Sequence, residues 1–136
     1  MAGSNEGKSE RKYMLNFGPF KSLSTKEFQQ KREEGFTVID IRRADEWEEY
    51  GIIEGSHKIT FFDEAGQYDL DMFLEAFTEV VTDKEEPFIL VCAHANRTKT
   101  VGEIMGLKLK YKNVYELDGG INWGWIDKGL QTVKEI

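Results

Sequence analysis

The sequence predicts an α/β fold with a mainly parallel central sheet of about five strands and helices on both faces. Short apolar runs alternate along the chain with segments of helical periodicity. Strands that alternate with helices are joined by right-handed crossovers, which make neighbouring strands parallel. The 136 residues, 40% hydrophobic and 32% charged, fit one globular domain. We expect that domain over residues 15–136, after a polar tail over residues 1–14.

The first half of the chain predicts two helices and two strands. A capping box opens a helix at Ser24, and the helix ends near Gly35. Residues 36–41 form a β-branched run that is typical of a buried strand. A short acidic helix follows over residues 44–50, and residues 58–61 indicate a weaker strand.

The second half contains the strongest strand. Asp69 can cap a helix that runs to about residue 81. The apolar run 88–91 is the most hydrophobic strand of the chain. It is followed by a helix over about 98–110, a strand over 114–117 and a last helix over 121–128.

Composition and charge exclude several classes of function. The formal net charge is −7, which repels nucleic acid and anionic membrane surfaces, so neither is an expected partner. Cys92 is the single cysteine, which excludes an internal disulfide. With His57 and His94 far apart in the sequence, Cys92 makes no zinc site either, so we expect no metal or cofactor.

The expected compartment follows from the absence of membrane signals in the sequence. There is no run of about eighteen apolar residues, and residues 1–12 lack the apolar core of a signal peptide. The sequence therefore favours the cytoplasm. A periplasmic location would require that a signal peptide has already been removed.

The segment from Cys92 to Thr98 connects the strongest strand to a helix. Such a loop points backbone N–H groups inward, and the helix N-terminus and Arg97 add positive charge. This combination favours an anion, either the thiolate of Cys92 or a bound sulfur donor. The alternative is a buried cysteine that merely ends a strand. Arg97 argues against it, since a cation opposes the helix dipole there.

The candidate site residues follow from this loop. Catalysis requires that the sulfur of Cys92 be reachable from solvent, with Arg97 beside it. The predicted substrate-binding residues fill the rest of the loop: Ala93, His94, Ala95, Asn96 and Thr98. Of these, His94 is expected on the rim.

The sequence resembles the rhodanese family of sulfurtransferases in several places. Residues 92–98 match its loop of Cys, four residues, Arg, then Ser or Thr. Residues 40–47 are similar to its Asp-Val-Arg…Glu-aromatic segment, and residues 51–56 to its Gly-His-Ile-Pro-Gly-Ala turn. Residues 114–130 resemble its C-terminal signature.

The resemblance implies a thiosulfate:cyanide type of sulfurtransferase. Cys92 would attack the outer sulfur of a small anionic donor, such as thiosulfate or polysulfide, and carry it as a persulfide. Arg97 would bind donor oxygens, and backbone N–H groups over 93–98 would cradle the persulfide. With no second cysteine, the acceptor must be external: a thiol, cyanide or a protein.

Residues outside the loop are assigned supporting roles. Asp40, Arg42 and Glu46 are expected to form a charged structural brace, in which Arg42 pairs with Glu46 four residues on. Trp125 is expected in the core, and core packing is also the favoured role of Trp123.

The sequence also departs from the family pattern. Ala95 stands where the family commonly has glycine, so a positive φ there would strain the loop by about 1 kcal/mol. Two other functions therefore remain open. A phosphatase or arsenate reductase of the same fold would be expected to have five residues between Cys and Arg, and this loop has four. A non-catalytic binding module fits the unusual Ala95.

Overall fold

The computed structural model describes residues 20–134, and the predicted tail over residues 1–14 lies outside them. Within the described residues, five strands form one sheet in which every pairing is parallel. The spatial order is β1-β5-β4-β2-β3. The predicted fold class is confirmed. The strands are β1 (Phe20–Leu23), β2 (Thr37–Asp40), β3 (His57–Lys58), β4 (Phe88–Val91) and β5 (Val114–Leu117).

The helices begin where their capping residues lie. Ser24 accepts a hydrogen bond from the N–H of Glu27, whose carboxylate accepts one from the N–H of Ser24. Asp69 caps its helix through the N–H of Met72. The α-helices are α1 (Thr25–Glu33), α2 (Ala44–Tyr50), α3 (Leu70–Val80), α4 (Arg97–Glu103) and α5 (Gly120–Gly124). A π-helix (Ile104–Lys108) extends α4, and a 3₁₀ turn (Ile126–Lys128) follows α5.

The sheet is covered on both faces. On one face, residues of β4 such as Leu90 pack with Phe73 and Phe77 of α3 and with Val101 of α4. On the other face, the core is built from α1, α5 and the segment after it, with Phe28 and Trp125 in edge-to-face contact at 5.6 Å. Every residue of β4 is buried, as its uninterrupted apolar sequence predicts.

Some predicted elements differ from the observed ones. The strand β1 was missed, because only its first and last residues, Phe20 and Leu23, are buried and four residues give too short a pattern. The weak strand over 58–61 is shorter than predicted, at His57–Lys58. The helix predicted over 98–110 becomes a π-helix at Ile104, with Leu109 N–H bonded to the carbonyl of Ile104.

The last predicted helix is interrupted. Trp125 leaves the helical region at φ −136° and ψ −66°, and this break directs its ring into the core, where it is 5% exposed. The core assignment of Trp125 is confirmed. Trp123 lies before the break and is 58% exposed, so its assignment to the core was wrong. The aromatic periodicity of a continuous helix does not apply across a change of backbone direction.

Candidate active site

Cys92 lies directly after β4, between the ends of the neighbouring strands β2 and β5. Its side chain is buried, with the whole residue 1% exposed. The expectation that the sulfur is reachable from solvent is therefore not met in this structure. The physical reason is that Cys92 ends the central strand and its side chain is part of the apolar core that includes Leu90 and Val101. Sγ lies 3.7 Å from Oγ1 of Thr98, a long S–H···O contact.

Several carbonyls of the loop after β4 accept hydrogen bonds, whereas its N–H groups have no acceptor in the described part of the chain. The carbonyls of Cys92 and Ala93 accept hydrogen bonds of 2.8 and 3.0 Å from the N–H groups of Ile121 and Asn122. By contrast, the backbone N–H groups of residues 93–98 have no hydrogen-bond acceptor among residues 20–134. Unpaired backbone donors gathered in one loop favour an anionic partner.

Two positions in and near the loop have positive φ. Ala95 lies at φ +65°, in the left-handed region that the sequence analysis identified as costly for alanine. Gly120 lies at φ +68°, and a Cβ there would come within 2.3 Å of the carbonyl oxygen of Ala93. Glycine at position 120 is thus required for α5 to approach the loop.

Arg97 forms a bidentate ion pair with Glu46. Nη1 donates to Oε1 at 2.9 Å and Nη2 to Oε2 at 2.8 Å. The predicted pairing of Arg42 with Glu46 is wrong, since Arg42 points into the core instead. Glu46 thus connects α2 to the loop. Two of the five guanidinium N–H groups are used in this pair, which leaves three for another acceptor.

The titration behaviour of the pair reflects this contact. The hydrogen bond to Glu46 raises the pKa of Arg97 against the opposing effect of burial, and the negative charge of an ionised Cys92 raises it further. Burial alone would raise the pKa of Glu46, but hydrogen bonds from Arg97 and from the N–H of Arg43 hold it below its ordinary range. Arg97 is therefore a permanent cation whose charge acts on the sulfur.

Asp40 and Arg42 form a second ion pair, fully inside the protein. Their side chains are each 1% exposed. Nε and Nη2 of Arg42 donate to the two carboxylate oxygens of Asp40 at 3.0 and 2.9 Å, and Nη2 also donates to the carbonyl of Gly51 at 2.8 Å. The pair connects the end of β2 to the turn after α2, so Asp40 and Arg42 lie where a brace is expected, without Glu46.

The rim of the loop carries polar and aromatic groups. His94 is half-buried, and its ring lies 4.5 Å from that of Trp123. Nε2 of His94 lies 3.3 Å from Nδ2 of Asn122. Asn96 is exposed, whereas Thr98 is buried. The structure thus brings His94 into contact with α5, a contact that sequence spacing could not indicate.

Sequence reasoning missed one buried charged residue near the loop. Glu116 of β5 is 0% exposed, and its carboxylate contacts Lys99 of α4. A signal for Glu116 was present, since it shares the parity of Val114 in a strand expected to be buried. A carboxylate at an inward position requires partners.

Residues 20–134 contain neither a membrane-spanning helix nor a metal-ligating cluster. In this range, no helix has the length and apolar character needed to cross a membrane. The same residues contain no group of three or more His, Cys, Asp or Glu side chains arranged to hold a metal ion.

Comparison with known protein families identifies the family to which this chain belongs. The model of the rhodanese-like domain matches residues 24–127, which is most of the chain. The chain belongs to the rhodanese-like domain family. The match includes the loop after β4, both ion pairs and the strand that carries Glu116. No curated relative matches the sequence.

Solved structures agree with this rhodanese-like assignment. A rhodanese-related protein from Thermoplasma volcanium is 23% identical, with a TM-score of 0.60 over 85% of this chain and 99% of that protein. A polysulfide-sulfur transferase homodimer from Wolinella succinogenes is 19% identical, with a TM-score of 0.64 over 94% and 91%. A thiosulfate sulfurtransferase from Pseudomonas aeruginosa is 23% identical, with a TM-score of 0.62 over 82% of this chain and 20% of that one. At these identities, the likeness shows the fold.

Proposed function

We propose that this rhodanese-like protein is a sulfurtransferase in which Cys92 carries the transferred sulfur as a persulfide. The observation that carries the proposal is the loop after β4. It combines the chain's only cysteine, the N–H groups of residues 93–98, which have no acceptor within the described range 20–134, and the cation of Arg97. Backbone N–H groups gathered in one loop next to a cation favour an anionic ligand.

The proposed reaction has two half-reactions. The thiolate of Cys92 attacks the outer sulfur of thiosulfate, so that a new S–S bond forms and sulfite leaves with the electron pair of the broken S–S bond. Polysulfide would donate in the same way and leave shortened by one sulfur. An external thiol, cyanide or protein acceptor then attacks the outer sulfur and returns Cys92 to the thiolate.

Arg97 is proposed to bind the donor while Glu46 holds it in place. The three guanidinium N–H groups outside the ion pair can donate to the oxygens of the donor. The loop N–H groups would stabilise the negative charge of the persulfide. Because Cys92 is buried, the loop must open before a donor can reach the sulfur.

That burial gives one rival function its support. A binding module would need no access to Cys92, and the 1% exposure of this residue is what such a module predicts. The phosphatase or arsenate reductase alternative has less support, since four residues separate Cys92 from Arg97.

Intact-mass measurement tests the proposal directly. The protein is incubated with thiosulfate or polysulfide, and we expect its mass to increase by one sulfur atom. The added sulfur should be removed by cyanide and should be missing in Cys92→Ser. No gain from either donor, in protein shown to be folded, would favour the binding module. A parallel assay for phosphate release tests the phosphatase alternative.

A further inference from the structure

Glu116 lies inside the protein, one strand away from Cys92. Its register partners are Ser22 on β1 and Leu90 on β4. It is 0% exposed. Three side chains donate to its carboxylate: Thr98 Oγ1 to Oε1 at 2.6 Å, Lys99 Nζ to Oε2 at 2.6 Å and Ser22 Oγ to Oε2 at 2.8 Å. Both oxygens of the buried carboxylate therefore have hydrogen-bond donors.

One of these donors also contacts the sulfur. Oγ1 of Thr98 is 2.6 Å from Glu116 and 3.7 Å from Sγ of Cys92. A hydroxyl has a single proton to donate. Because Thr98 donates that proton to the carboxylate, it presents lone pairs to the sulfur. The arrangement suits a thiol, which can donate S–H to Thr98, and disfavours a thiolate.

The arrangement is hard to explain by stability alone. Glu116 is buried although the Lys99 side chain is 40% exposed, and burying a charge costs desolvation free energy. Replacing buried charged groups with apolar residues of similar size is often neutral or stabilising. The row of the sheet next to Glu116 contains Leu90, and the same face holds the larger apolar core. An apolar residue at position 116 would suit that surrounding. An apolar residue at position 116 could not accept the hydrogen bond that the hydroxyl of Thr98 donates to Glu116.

We propose that Glu116 is a positioning residue that keeps the hydroxyl proton of Thr98 directed away from Cys92, so that the resting cysteine is stored as the unreactive thiol. Activation then requires that Thr98 turn its proton from Glu116 to the sulfur while the S–H proton passes to solvent. The proposal deepens the sulfurtransferase assignment, on which its role in transfer rests.

The charged groups around Cys92 and Glu116 are accounted for within residues 20–134. Lys99 of α4 contacts the carboxylate of Glu116, and Ser22 of β1 contributes a neutral donor. Arg97 acts on the charge of the sulfur and is itself paired with Glu46 of α2. Glu116 is thus the carboxylate linked to Cys92 by a single bridging hydroxyl.

The test measures alkylation of Cys92 by iodoacetamide as a function of pH, followed by intact mass. The chain has one cysteine, so each added group reports on Cys92. Glu116→Gln removes the charge and keeps the size of the side chain. We expect its alkylation profile to move to lower pH and its rate at pH 7 to rise about tenfold, because Thr98 is freed to donate to the thiolate.

A second variant tests whether the shift follows from the lost hydrogen bond or from the change in net charge. It also provides a second measurement if Glu116→Gln does not fold. Lys99→Met with Glu116→Leu removes both members of the ion pair, so the net charge is unchanged. The proposal predicts that this double variant shifts the profile in the same direction as Glu116→Gln. Glu103→Gln, on the exposed side of α4, is the matched control and should not shift it.

The last arm tests whether the effect passes through Thr98. In a Thr98→Val background, Glu116→Gln should no longer change the profile. If Glu116→Gln and the double variant both leave the wild-type profile unchanged, or if the shift persists without the hydroxyl, the proposal is overturned. Alkylation needs no sulfur donor, so a shift without any sulfur gain from thiosulfate or polysulfide would reject the transfer function and keep this inference.

Discussion

The turns after β2 and β4 lie side by side at the same edge of the sheet, yet they satisfy their polar groups in different ways. The strands are adjacent and parallel, with Asp40 opposite Val91 and the N–H of Ile41 bonded to the carbonyl of Val91. After β2, Arg42 is buried and bonded to Asp40 and Gly51. After β4, the backbone N–H groups over 93–98 have no acceptor among residues 20–134.

The difference separates a structural turn from a binding turn. A buried polar group with no partner costs about 1–3 kcal/mol, so a turn without function tends to pair its donors internally. In the turn after β2, the backbone N–H groups of residues 41–43 all have acceptors. The turn after β4 keeps its donors unpaired, and Ala95 holds a strained conformation within it. We therefore expect changes after β2 to affect mainly stability and changes after β4 to affect mainly sulfur transfer.

The largest expected effect lies in the turn after β2. Asp40→Asn leaves the guanidinium of Arg42 buried without a counter-charge, which should lower the free energy of unfolding by about 3–5 kcal/mol. Denaturant unfolding measures the loss. The double variant Asp40→Asn with Arg42→Met should lose less, since no charge remains buried. If the Asp40→Asn protein were as stable as the wild type, the proposal that the turn after β2 is mainly structural would be contradicted.

The next effect lies in the turn after β4. Arg97→Ala removes the cation proposed to bind the donor and should lower kcat/KM for thiosulfate by about 10- to 100-fold, chiefly through KM. Steady-state kinetics of sulfur transfer measure the change. Arg32→Ala is a control of equal charge, because its guanidinium donates to the carbonyl of Glu54, away from the loop. An equal loss in both variants would contradict a specific role for Arg97.

A smaller effect is expected from relieving the strain at Ala95. Ala95→Gly removes a left-handed strain of about 1–2 kcal/mol. It also removes a buried methyl group and increases the conformational entropy of the unfolded chain, and both of these changes lower stability. We expect the net stability to change by about 1 kcal/mol or less and transfer to be equal or faster.

Lys110→Gly is the matched control for Ala95→Gly. Lys110 has the same left-handed conformation, at φ +67°, but is exposed and outside the site. The Lys110→Gly protein should be more stable than the wild type, and its rate of sulfur transfer should be unchanged. A large loss of transfer in Ala95→Gly alone would show that the strained conformation itself is needed for activity.

The smallest effect concerns acid stability. Because the folded protein holds the pKa of Glu46 below its ordinary range, the contribution of Glu46 is complete above about pH 4.3 and is lost as the pH falls through the lower folded value. In Glu46→Gln, unfolding free energy should depend less on pH in that window, by up to about 1 kcal/mol. Glu48→Gln, exposed on the same helix, should retain the wild-type slope. Identical slopes in all three proteins would contradict the assignment.

The sequence by itself determined the fold class and the position of the candidate nucleophile. Periodicity and capping residues located α1, α3 and the fully apolar β4, because these signals depend on neighbours in the chain. The same local signals failed at β1, whose four residues are recognised only through their pairing with β5. They also failed at Trp123, because the backbone break at Trp125 changes which face of the helix is buried.

Only the tertiary structure decided which charged groups meet. Arg42 was expected to pair with Glu46 at helical spacing, but it pairs with Asp40, and Glu46 reaches Arg97 across 51 positions. Glu116 reaches Thr98 in the same way, through the packing of α4 against β5. Local periodicity acts over a few residues, whereas a buried charge must be neutralised by whatever the folded chain places within hydrogen-bond distance.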